Sequence, residues 1–136
     1  MKNLETILVV EDSISIGEML EEMLGTLGYR VYISDNGIDA LELLEVFHVD
    51  LILTDLRMPE MSGVALYREV RRQGKDIPFI LMSGYAGDFF VDELVKGGEL
   101  FMPKPFNISE LLEVITTRWQ LYCGEERSSG TSTCSE

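Results

Sequence analysis

Leu51-Ile52-Leu53-Thr54-Asp55 is a short apolar run that ends on an acid. Consecutive apolar residues do not alternate as a half-exposed strand must. They suit a strand covered on both faces, which belongs to a parallel sheet. The same reading holds for Ile7-Leu8-Val9-Val10, which leads into Glu11-Asp12, and for Phe79-Ile80-Leu81-Met82, which leads into Ser83-Gly84. These three segments are expected to be the central strands.

Working outward, the full strand expectation is residues 6–10, 29–34, 50–54, 77–82 and 100–102. Helical periodicity fills the intervals. Ile16, Met19, Leu20, Met23, Leu24 and Leu27 recur at three- and four-residue steps, and Ile38, Leu41 and Leu44 do so more weakly. Val64, Leu66, Tyr67 and Val70 mark a third helix, and Phe89, Phe90, Val91, Leu94 and Val95 a fourth. Ile108, Leu111, Leu112, Ile115 and Trp119 mark a fifth, opened by an Asn107/Glu110 capping box. Gly28 and Gly74 stand where helices should stop. Strands alternating with helices imply crossover connections and an α/β domain with helices on both faces of the sheet.

The 136 residues fit one domain. We expect that domain over residues 1–122 and a disordered tail over 123–136, which is rich in Ser, Thr, Gly and Glu. Both cysteines, Cys123 and Cys134, fall in that tail, which points to neither a metal site nor a disulfide framework and suggests a reducing cytoplasm. No apolar run is long enough for a membrane span or a signal peptide. The formal net charge of -13 works against binding nucleic-acid backbones.

Ligands of open α/β sheets bind at the carboxyl ends of the strands. There this chain places Glu11-Asp12, Asp55, Ser83 and Lys104. Carboxylates held close repel one another unless a cation is present. Hard oxygen ligands suit Mg²⁺, which also binds phosphate oxygens. An Asp beside such an ion can act as a nucleophile toward a phosphoryl group, with a lysine and a hydroxyl on the phosphoryl oxygens.

Four motifs in order, Ile7 to Asp12, Leu51 to Gly63, Ile80 to Tyr85 and Phe101 to Phe106, make residues 5–119 resemble the receiver domain of response regulators. The resemblance implies a flavodoxin-like, doubly wound sheet of five parallel strands in the order 2-1-3-4-5, with five helices. It implies Asp55 as phosphoacceptor, with Mg²⁺ held by Glu11, Asp12, Asp55 and the backbone carbonyl of Arg57. Ser83 and Lys104 would hold the phosphoryl oxygens, Phe101 would be the switch aromatic, and Lys104-Pro105 would be cis. The donor would be a histidine kinase or phosphotransfer protein, and the output a protein effector contacted through the fourth helix, fifth strand and fifth helix. Such a domain catalyses only its own phosphorylation and dephosphorylation. Arg57 and Tyr85 are bulky neighbours of the phosphoryl site, which suggests a slowed attack by water.

A metal-dependent phosphatase with an aspartyl intermediate would carry a second Asp two residues after the nucleophile; Arg57 stands there instead. Strand one leads into Glu-Asp-Ser rather than a glycine-rich phosphate loop, which disfavours a nucleotide site. A stand-alone regulator and the receiver of a hybrid sensor kinase both remain compatible with the sequence.

Overall fold

The computed structural model describes residues 3–56, 58, 60–83 and 100–128. Five strands, β1 (Thr6–Val10), β2 (Arg30–Ser34), β3 (Leu51–Asp55), β4 (Phe79–Ser83) and β5 (Leu100–Pro103), form one parallel sheet in the order β2-β1-β3-β4-β5. This is the expected doubly wound, flavodoxin-like arrangement. Every residue of β1, β3 and β4 is buried, as their unbroken apolar runs require. Edge strands β2 and β5 are only partly covered.

Side chains leave the pleat on alternate faces, and the two cores follow that period. Ile7, Val9, Leu51, Leu53, Ile80 and Met82 face helices α1 (Ile14–Thr26) and α4 (Ile108–Ser128), meeting Leu20, Leu24, Leu111 and Ile115. Leu8, Val10, Ile52 and Phe79 face α2 (Gly37–Val46) and α3 (Gly63–Arg72), meeting Ala40, Leu44, Leu66 and Val70. Among the described residues there are four helices; the expected fourth, at Phe89 to Val95, lies outside them.

Local chemistry sets the helix ends. Asn36 Oδ1 accepts from the Asp39 N–H at 2.8 Å, and Ser62 Oγ from the Ala65 N–H at 3.2 Å. The capping box is reciprocal: the Glu110 N–H donates to Asn107 Oδ1 at 2.8 Å, and the Asn107 N–H to Glu110 Oε1 at 2.9 Å. Gly28 and Gly74 take positive φ at 97° and 81°, ending α1 and α3 where expected.

One boundary moves. Helix α4 continues to Ser128 instead of stopping before a tail at 123. Trp119, Tyr122 and Cys123 extend the apolar stripe of Leu111 and Ile115 by further helical steps, and they pack with Leu4 into a satellite core. Cys123, expected outside the core, is buried and disulfide-bonded. Composition misled because a few polar residues follow directly on this stripe.

Candidate phosphoryl-transfer site

The chain runs from β1 outward to β2, then crosses back over β1 to β3, so β1 and β3 diverge at a topological switch point. Val10 and Thr54 are level in register. Glu11 and Asp12, which follow β1, and Asp55, the last residue of β3, therefore reach the same crevice. One carboxylate oxygen from each lies within 4.8 Å of the others. Glu11 and Asp55 are buried there, whereas Asp12 is exposed.

The backbone beneath Asp55 is held on two sides. The Leu56 N–H donates to Met82 O at 3.0 Å, and the Gly63 N–H donates to Leu56 O at 3.0 Å. Helix α3 starts so close that a Cβ at Gly63 would overlap the Asp55 carbonyl oxygen. Only glycine fits, so the last residue of the Leu51 to Gly63 motif has a steric reason.

Lys104 closes the site from β5. Its Nζ donates to Glu11 Oε1 at 2.7 Å and to Asp55 Oδ2 at 3.1 Å. Its backbone N–H donates to Ser83 O at 2.9 Å, and the Lys104-Pro105 peptide is cis, as expected. Ser83, buried at the end of β4, is level with Pro103 in the sheet. The structure thus gathers Glu11, Asp12, Asp55, Ser83 and Lys104 along one edge. Arg57, whose carbonyl was expected among the metal ligands, lies outside the described residues, as do Gly84 and Tyr85.

The electrostatics are those of crowded carboxylates with one cation. Burial raises the Glu11 pKa, and the nearby Asp55 adds to the rise. Hydrogen bonds from Lys104 and the Ser13 N–H oppose it without cancelling it. Burial disfavours the Lys104 ammonium, but its hydrogen bonds to Glu11 and Asp55 outweigh that and lift its pKa above the ordinary lysine value. Such a site favours an added cation. Three converging carboxylate oxygens form a donor set suited to Mg²⁺.

Phe101, level with Leu81 in the sheet, is half-buried against Leu56, Val64 and Leu81. Met82 is core, and Met58 and Met61 pack against the α2/α3 core, so these methionines serve packing. His48 lies at the opposite end of the sheet, where its Nε2 is 2.7 Å from Asp50 Oδ1. Sequence reading missed Asp50: its Oδ2 accepts from the Glu5 and Thr6 N–H groups, both at 3.0 Å, and seats the start of β1. An acid opening an otherwise apolar strand was the available signal.

The model of the response regulator receiver domain family matches residues 7–116. Sensor kinase CckA of Brucella abortus is 38% identical over 113 residues, which are 81% of this chain and 12% of that kinase. The chain spans less than half the length of the curated relatives it matches. Among solved structures, chemotaxis response regulator CheY4 of Vibrio cholerae is 30% identical with a TM-score of 0.76, covering 85% of this chain and 98% of that one. The receiver domain of sensor histidine kinase PA1611 from Pseudomonas aeruginosa, with magnesium coordinated in its active-site cleft, is 30% identical with a TM-score of 0.74, covering 85% and 98%.

Proposed function

Because the chain belongs to the response regulator receiver domain family, we propose that it accepts a phosphoryl group onto Asp55 from a histidine kinase or phosphotransfer protein. The observation that carries this reading is one ammonium, that of Lys104, set between the carboxylates of Glu11 and Asp55 beside Asp12.

The chemistry follows from these groups. An Asp55 carboxylate oxygen attacks phosphorus in line with the phosphohistidine P–N bond. That bond breaks, and the imidazole of the donor leaves with the electron pair and takes up a proton. Lys104 exchanges its hold on Glu11 and Asp55 for a phosphoryl oxygen, and the Ser83 hydroxyl donates to another. Glu11, Asp12, Asp55 and the Arg57 carbonyl are the residues to hold Mg²⁺, which supplies positive charge for the transferring group. Water later hydrolyses the acyl phosphate, so the domain turns over nothing but its own phosphoryl group.

The switch then runs through Ser83 and Phe101. Drawn toward the phosphoryl group, Ser83 vacates space into which Phe101 turns, remodelling the surface around β5 and α4 for a protein effector. Phe101 has no hydroxyl, so packing alone sets its preference. Among the described residues no helix is long and apolar enough to cross a membrane. We place the domain in the cytoplasm, where histidine kinases find ATP, and with a net charge of -13 its output is protein contact rather than nucleic acid.

Intact-mass measurement after incubation with acetyl phosphate and Mg²⁺ tests the reading. A single adduct of about 80 Da that requires Mg²⁺ and is lost in Asp55→Asn is the expected result. A folded protein without the adduct would leave a binding module that keeps the fold and not the chemistry.

A further inference from the structure

Beyond the phosphoryl site, β2 leaves one side of the sheet open. Among the described residues it pairs only with β1, so its outer N–H and C=O groups face away from the sheet. Beside it α2 presents Asp39, Glu42, Leu43 and Val46, a stripe at helical spacing. Together with Ile33 and Asp35 these side chains line a groove of about 540 Å³. Ile33, Leu43 and Val46 supply its apolar surface, and Val46 is 74% exposed. Its rim is acidic, and among the described residues no basic side chain lines it. The Asn36 side-chain amide donates to both Asp35 Oδ1 at 2.8 Å and Asp39 Oδ2 at 3.2 Å, holding two of the carboxylates in place. The Glu42 carboxylate makes no hydrogen bond or ion pair among the described residues.

We propose that this groove docks an extended, basic segment of a partner protein, which adds to the open edge of β2. Its Lys or Arg side chains would face Asp35, Asp39 and Glu42, and an apolar side chain between them would cover Leu43 and Val46. Three features select this occupant. The open strand edge suits an extended backbone, because its unpaired groups supply main-chain hydrogen bonds. The acidic rim with no internal cation calls for a basic partner. A second copy of this chain is disfavoured, since it would set the same three carboxylates against their own copies.

The probe is a peptide of about ten residues in which Lys and Val take turns along one strand face with Ser at every intervening position, titrated into ¹⁵N-labelled protein, with the same peptide carrying Glu for Lys as control. Expected are saturable amide shifts confined to β2 and the exposed side of α2, no binding of the acidic control, and weakening by added salt. Glu42→Lys and Val46→Lys, both at exposed positions, should each weaken binding about tenfold while leaving the melting temperature unchanged. Shifts spread evenly over other acidic surface such as Glu18, Glu21 and Glu22 would overturn the proposal. So would affinity indifferent to both variants, or sedimentation showing a dimer that the two variants dissolve. Any of these outcomes leaves the chemistry at Asp55 untouched.

Discussion

Lys104 and Glu11, 93 residues apart in the chain, meet at 2.7 Å, and the same ammonium lies 3.1 Å from Asp55. The ammonium offsets the repulsion between the two carboxylates. Under the proposed function it would leave them after phosphorylation to follow the phosphoryl oxygens.

Lys104→Ala separates these two roles. Removing the ammonium frees Glu11 and Asp55 for a metal, so Mg²⁺ affinity measured by calorimetry should hold or rise. The rate of phosphorylation by acetyl phosphate should fall by about a hundredfold, the usual cost of deleting one charged donor to a transition state. Loss of both together would mean that Lys104 builds the site rather than serving the transfer.

Acid should loosen the metal earlier than an ordinary glutamate would allow. Burial raises the Glu11 pKa above 4.5, and only the ionised carboxylate is a ligand. Above its raised pKa Glu11 is already ionised, and affinity does not depend on its proton. As pH falls through that value a proton competes, and affinity drops by up to about tenfold per unit. Calorimetric titrations from neutral pH downward should show this step beginning above 4.5, and Glu11→Gln should bind more weakly without it.

Gly63→Ala tests the clamp on the nucleophile. The added methyl group meets the Asp55 carbonyl, so either α3 or the end of β3 must retreat. The expected loss is about 1–3 kcal/mol in urea unfolding, as for other overpacked sites. Phosphorylation should slow as well, since the displaced atoms belong to the residue that attacks.

Asp50→Ala addresses the far end of the sheet. It strands the Glu5 and Thr6 N–H groups at the start of β1, for an expected cost of about 1–3 kcal/mol. Phosphorylation of the folded fraction should match the wild type, because Asp50 stands just before β3 and Asp55 ends it.

Much of this molecule can be read from its residues, for identifiable reasons. Strands β1, β3 and β4 were legible because burial on both faces leaves no polar interruption. Their ends were less so. Residue 77 was expected in β4, yet that strand starts at Phe79, after Pro78, which has no N–H to give the ladder. Asp55 and Ser83, taken as residues beyond the strands, are their last members. That Glu11, Asp12, Asp55, Ser83 and Lys104 stand together at strand ends was legible from their order in the chain. That Lys104 rests on two of the carboxylates was not, since it depends on a long side chain's conformation across the crevice. The reach of α4 beyond Trp119 was hidden by composition, because Tyr122 and Cys123 carry their signal in spacing alone.

The close seating of α3 on Asp55 bears on how a signal can leave this site. With the Gly63 backbone against its carbonyl and Leu56 tied to Met82, Asp55 has little room to recoil when charge arrives. Under the proposed transfer to Asp55, the attacking group is thus the fixed post of the site. What answers that charge would then have to approach Asp55, and Ser83 and Lys104, whose backbones are joined at 2.9 Å, are the two residues the proposed function assigns to do so.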